Sequence, residues 1–122
     1  VGSVPLRRRY RLADVPCAPL VPGLFAAPVP PFAAEPSRPI AFLHLDAALY
    51  SSTSTVLELL GDRLVPGSVV VLDEYFNYPG WQDGEFRAWA EFVDRTGVGF
   101  WYEGYTRDNQ QVALSITSVP TA

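Results

Sequence analysis

Ile40-Ala41-Phe42-Leu43-His44-Leu45-Asp46 and, after a stretch of helical periodicity, Ser68-Val69-Val70-Val71-Leu72-Asp73-Glu74 decide how this chain folds. Each is a near-continuous apolar run of strand length that ends in acid. Such runs mark strands buried on both faces of a parallel sheet, so Ile40 to Leu45 is expected to be a central strand. Between the two runs, Val56, Leu57, Leu60 and Leu64 recur at helical spacing. Ser51 or Ser52 is expected to cap that helix and Pro66-Gly67 to stop it. Strand, helix and strand in this order make a βαβ unit with a right-handed crossover.

Downstream, Phe86, Trp89, Ala90 and Val93 fall on one helical face between about Gln82 and Thr96, and Gly97 supplies a stop. Val98 to Tyr105 is aromatic-rich, and Val112, Leu114 and Ile116 alternate with Gln111, Ala113 and Ser115 beyond a polar turn at Arg107-Asp108-Asn109. That pattern predicts a carboxyl-terminal β-hairpin closing the edge of a mixed sheet. The fold class is therefore α/β: a parallel βαβ unit, a β-hairpin and flanking helices.

Upstream the regime changes. Residues 1–39 hold nine of the twelve prolines and five arginines against Asp14 and Glu35, a net +3, whereas residues 40–122 carry four arginines and eleven acids, a net -7. Proline removes a backbone donor and restricts its predecessor, so an irregular arm is expected there, with 40–122 as the folded part. Leu20-Val21-Pro22-Gly23-Leu24-Phe25 is the exception and could form an edge strand, where proline is tolerated. Arg7-Arg8-Arg9 and Arg11 lack interleaved aromatics and read as a solvated basic tail; nucleic acid is not expected as a partner.

With 122 residues, 48% of them apolar, and a net charge of -4, the chain has room for one core. No apolar run approaches the roughly 18 residues of a membrane span. The single cysteine, Cys17, has no intramolecular partner, and no signal-peptide pattern opens the sequence, so a cytoplasmic setting is expected.

The chemistry gathers where the strands end. In a parallel pair Asp46 and Asp73-Glu74 leave at the same carboxyl edge, the edge where open α/β sheets bind ligands. Adjacent strands lie about 4.8 Å apart, close enough for the three acids to share one hard divalent cation such as Mg2+. Acids there can equally cap nearby helices or remain solvated. His44, two residues before Asp46, is either a general base on the same face or a packing residue. Tyr50, Tyr75, Phe76, Tyr78 and Trp81 follow the two strands and form either an aromatic wall for a substrate ring or loop packing. Gly97-Val98-Gly99 follows a helix and fails the context of a nucleotide-binding turn, and no zinc, heme or nucleophile-elbow pattern is present.

His44-Leu45-Asp46-Ala47-Ala48-Leu49-Tyr50-Ser51-Ser52-Thr53, then Val65-Pro66-Gly67, then Asp73-Glu74-Tyr75-Phe76-Asn77-Tyr78-Pro79-Gly80-Trp81 resembles the macrocin O-methyltransferase family. The likeness runs from about Leu20 to Ile116. It implies the carboxyl-terminal part of a Rossmann-like, class I methyltransferase sheet. In the family's reaction a divalent ion orients a sugar hydroxyl of a glycosylated natural product toward the methyl group of S-adenosylmethionine. By position Asp46, Asp73 and Glu74 match the family's metal-binding acids, while Ala48 stands where the family usually has a second Asp. The glycine-rich, cofactor-holding half has no counterpart in residues 1–19. A truncated, rearranged or out-of-frame gene start is the expected explanation, and the chain is expected not to bind S-adenosylmethionine or act alone. A noncatalytic remnant or interaction module is the alternative, with homo-oligomers forming through exposed sheet edges.

Overall fold

A computed structural model describes residues 23–34 and 38–121. Its elements are helix α1 (Val29–Ala34), strand β1 (Ile40–Leu45), helix α2 (Tyr50–Leu60), strand β2 (Leu64–Leu72), helix α3 (Glu85–Thr96) and strands β3 (Gly99–Tyr105) and β4 (Val112–Ser118). Short 3-10 turns at Gly61–Arg63 and Trp81–Asp83 precede β2 and α3. The sheet order is β1-β2-β4-β3, with β1 parallel to β2 and the β3–β4 hairpin antiparallel to β2 through β4.

The expected βαβ unit and hairpin are present, and their boundaries move for local reasons. The second strand begins at Leu64, which is buried, so Pro66-Gly67 lies inside β2 and does not stop the preceding helix. That helix ends at Leu60. The register steps from Ile40 opposite Leu64 to Phe42 opposite Val69, so β2 carries extra residues at the irregularity. Gly67 takes a φ of 96° there. Ser68 repairs the ladder: its hydroxyl accepts from the Val65 N–H at 2.9 Å and donates to the Ile40 carbonyl at 2.5 Å.

Helix α2 starts at Tyr50, with Leu49 as its N-cap and no side-chain capping bond; Ser51 and Ser52 fall inside its first turn. Nor is β1 a central strand. Among the described residues it pairs only with β2 and lies at the sheet edge, and Ala41, Phe42 and His44 are exposed while Leu45 is buried. A continuous apolar run reports a strand, but not how many neighbours that strand has.

The described part of the stretch 20–25, Gly23 to Phe25, is bend and turn, not edge strand; Leu20, Val21 and Pro22 lie outside the described residues. It leads into α1, whose Pro30 and Pro31 occupy the first turn, where a missing N–H breaks no helical bond. Phe25, Val29 and Ala33 pack against the core, and Arg63 donates to the Ala33 carbonyl at 2.7 Å. This stretch of the proline-rich region thus joins the fold.

Both longer helices cover one face of the sheet. Val56, Leu57 and Leu60 from α2 and Ala88, Trp89 and Phe92 from α3 meet Val70 and Leu72 of β2 and Leu114 and Ile116 of β4. Helix α3 stops at Gly97, whose φ of 74° is the left-handed turn that glycine adopts without Cβ strain.

Candidate metal centre

The parallel register brings Leu45 opposite Leu72, and the Asp73 N–H donates to the Leu45 carbonyl at 2.9 Å, carrying the ladder one residue beyond β2. Asp46, Asp73 and Glu74 consequently emerge side by side, with one carboxylate oxygen from each within 4.8 Å of the others. Asp46 is exposed and the other two are partly covered. The Glu74 carboxyl lies above its ordinary range, first because of burial and then because Asp46 and Asp73 repel its charge.

His44 reaches Asp73, its Nε2 standing 3.2 Å from Oδ1. Gln111 donates to the same oxygen at 3.2 Å. Gln111 was not singled out from sequence, because only the docking of β4 on β2, with Val112 opposite Leu72, carries it to Asp73. Glu85 was missed as well. It is fully buried on α3, and its carboxylate accepts from the Glu74 N–H at 2.7 Å and from the Thr53 hydroxyl at 2.8 Å. Burial raises its pKa most, and those two hydrogen bonds oppose the rise.

The loop after β1 is strained at Ala48. Its φ is 60°, and the Leu49 N–H closes a three-residue turn on the Ala47 carbonyl at 2.6 Å. Asp and Asn enter this left-handed region more readily than Ala.

The aromatic residues divide. Tyr75, Phe76 and Trp81 line an open cavity of about 360 Å³ together with Phe86, Tyr102 and Tyr105. Tyr75 is buried, its hydroxyl 2.5 Å from that of Tyr102, and Trp81 meets Phe86 edge to face at 5.0 Å. Tyr78 turns instead to donate to the Glu74 carbonyl at 3.1 Å. Tyr50 sits apart at the α2–α3 seam, hydrogen-bonded to Glu91 with the Arg87 guanidinium 4.6 Å above its ring.

A parallel βαβ unit with acids at its carboxyl edge, extended by an antiparallel hairpin, is part of a Rossmann-like α/β methyltransferase sheet. The chain belongs to the macrocin-O-methyltransferase (TylF) family, whose model matches residues 7–99. It is 39% identical over 81 residues to an 8-demethyl-8-(2,3-dimethoxy-alpha-L-rhamnosyl)-tetracenomycin-C 4'-O-methyltransferase of Streptomyces olivaceus, covering 62% of this chain and 30% of that protein. Among solved structures it matches apo CalS11, a TDP-rhamnose 3'-O-methyltransferase of calicheamicin biosynthesis, with TM-score 0.58 and 30% identity over 78% of this chain and 40% of that one. The O-methyltransferase NovP matches with TM-score 0.61 and 27% identity over 79% and 36%. The chain thus spans 30–40% of the length of these relatives.

Proposed function

We propose that these residues form the metal-holding, acceptor-positioning edge of an S-adenosylmethionine-dependent O-methyltransferase acting on a sugar hydroxyl of a glycosylated natural product. The observation that carries this is the convergence of Asp46, Asp73 and Glu74. Oxygens sharing one Mg2+ at about 2.1 Å stand roughly 3–4 Å apart, so a cluster within 4.8 Å closes with small side-chain adjustments. The Glu74 carboxyl is raised first by burial and then by the charges of Asp46 and Asp73, and a cation would relieve that repulsion.

When bound, a divalent ion supplies Lewis acidity that lowers the pKa of a coordinated hydroxyl. Asp46, Asp73 and Glu74 are its holders, and Gln111 and His44 fix Oδ1 of Asp73 and thereby the direction of its second oxygen. We assign acceptance of the acceptor's proton to His44 at Nδ1, the nitrogen left with a lone pair when Nε2 donates to Asp73. We assign Tyr75, Phe76 and Trp81, in the segment that follows Glu74, to offer ring faces to the acceptor, and give no acceptor contact to Tyr50 and Tyr78, whose hydroxyls bond Glu91 and the Glu74 carbonyl. The family's methyl donor is S-adenosylmethionine. Among the described residues no glycine-rich turn leads from a strand into a helix to hold it, and no residue is assigned to the cofactor. A cytoplasmic setting fits the lone Cys17, and among the described residues no helix is long and apolar enough to cross a membrane.

Titration of the chain with Mn2+, followed by electron paramagnetic resonance, tests the site. Saturable binding is expected, weakened about tenfold or more in Asp46→Asn, Asp73→Asn and Glu74→Gln, whereas absence of saturable binding to the native chain refutes the metal assignment.

Self-association is a second property we propose: among the described residues β1 pairs on one side only, an unpaired edge recruits a further strand, and Phe42 of β1 is 61% exposed. Sedimentation should show a concentration-dependent dimer that Phe42→Lys weakens. A monomer at every concentration excludes it.

A further inference from the structure

We infer that Glu85 is a positioning residue for Glu74, holding its peptide so that the Glu74 carboxylate faces Asp46 and Asp73. The inference rests on the metal assignment above and adds to it a residue outside the three acids.

Glu85 occupies a position that packing alone would fill with an apolar side chain. It shares the inward face of α3 with Ala88, Trp89 and Phe92 at helical spacing, and it is fully buried. A carboxylate in such a place is costly unless its lone pairs are used. Both oxygens are used, and on two different elements: Oε1 accepts from the Glu74 N–H at 2.7 Å, and Oε2 accepts from the hydroxyl of Thr53, itself fully buried on α2. The side chain therefore ties the loop after β2 to the two helices that cover the sheet.

The opposite end of the same residue is also held. The Glu74 carbonyl accepts from the Tyr78 hydroxyl at 3.1 Å. That hydroxyl lies where a Cβ on residue 84 would stand, so Gly84 leaves the passage open. With its N–H bound by Glu85 and its C=O by Tyr78, the Glu74 backbone is held from both sides, and with it the direction in which the Cα–Cβ bond leaves toward the cluster. Ligands at metal sites depend on such outer partners for their direction.

Mn2+ titration of the 122-residue chain, paired with amide hydrogen exchange at Glu74, tests the role. Glu85→Gln keeps an acceptor for the Glu74 N–H and should bind Mn2+ within about threefold of the native chain; Glu85→Leu should lose about tenfold or more. In Glu85→Leu the Glu74 amide should exchange faster, while the Val70 and Leu114 amides keep their protection. Should Glu85→Leu fail to fold, Thr53→Val, which removes only the tether to α2, should still weaken Mn2+ binding, with Glu85→Gln remaining near native. Native affinity with a protected Glu74 amide in Glu85→Leu, or native affinity in Thr53→Val, overturns the inference alone. A loss in Glu85→Gln as large as in Glu85→Leu also overturns it, because the acceptor would then be irrelevant. No saturable Mn2+ binding to the native chain overturns both the metal assignment and this role.

Discussion

Trp89→Ala is expected to lower the unfolding free energy by about 3–5 kcal/mol, the range for emptying a buried large aromatic site. The indole is 1% exposed and joins α3 to the hairpin: its ring stands 5.3 Å from Phe92 on its own helix and 5.3 Å, edge to face, from Phe100 of β3. A domain has only about 5–15 kcal/mol in total, so this one truncation removes a large fraction. Trp89→Phe should cost much less. The Nε1 donor is buried without a hydrogen-bond partner among the described residues, so phenylalanine keeps most of the ring contact and deletes an unsatisfied group. Urea denaturation measures both variants. A Trp89→Ala cost under about 1 kcal/mol, or a Trp89→Phe cost equal to it, contradicts the packing role. Because α3 also carries Glu85, loosening this contact should weaken the acid cluster as well.

Much of this arrangement is legible in the sequence, and the misses have specific causes. The runs ending at Asp46 and Asp73-Glu74 announce two strands, the spacing of Val56, Leu57 and Leu60 announces the helix between them, and the structure forms all three. The alternation around Leu114 likewise announces the hairpin. Periodicity speaks of a residue's own element, though, and not of the element's neighbours. It could not show that β1 lies at an edge among the described residues, nor that β4 inserts beside β2 and brings Gln111 to Asp73. Leu64 continued the helical spacing by coincidence, since an apolar first strand residue after a 3-10 turn falls at the same interval.

Glu85 is the instructive case. It precedes Ala88, Trp89 and Phe92 by three, four and seven residues, so an acid on the apolar face of α3 is visible in the sequence alone. What it bonds to could not, because Thr53 and Glu74 lie 32 and 11 residues away on other elements. The aromatic residues show the same limit from the other side. Five of them near the strand ends are compatible with a wall or with loop packing; side-chain direction divides them, and the ring faces of Tyr102 and Tyr105 that complete the cavity come from β3. Composition can place chemistry near a site; only the sheet order decides which side chains converge.

Glu74→Gln should change stability in opposite directions with and without a divalent ion. The Glu74 carboxyl is raised by burial and by Asp46 and Asp73, so the folded chain holds this proton more tightly than the unfolded one does. An acid of that kind favours the fold below its ordinary value, and the benefit is lost as pH rises through the raised value. In a chelator at neutral pH the native chain therefore carries a repulsion that Glu74→Gln lacks, and the variant should melt higher. Glu85, raised chiefly by burial, adds a slope of the same sign, but it is present in both proteins and largely cancels in the comparison. Mn2+ reverses the order, since an ion bound only by the folded state adds about 2.7 kcal/mol at a concentration 100 times its Kd. The native chain should gain this and the variant should not, so their melting curves exchange places between chelator and Mn2+. A variant no more stable than the native chain in chelator would mean that the three acids are simply solvated, and equal stabilisation of both proteins by Mn2+ would put the ion elsewhere.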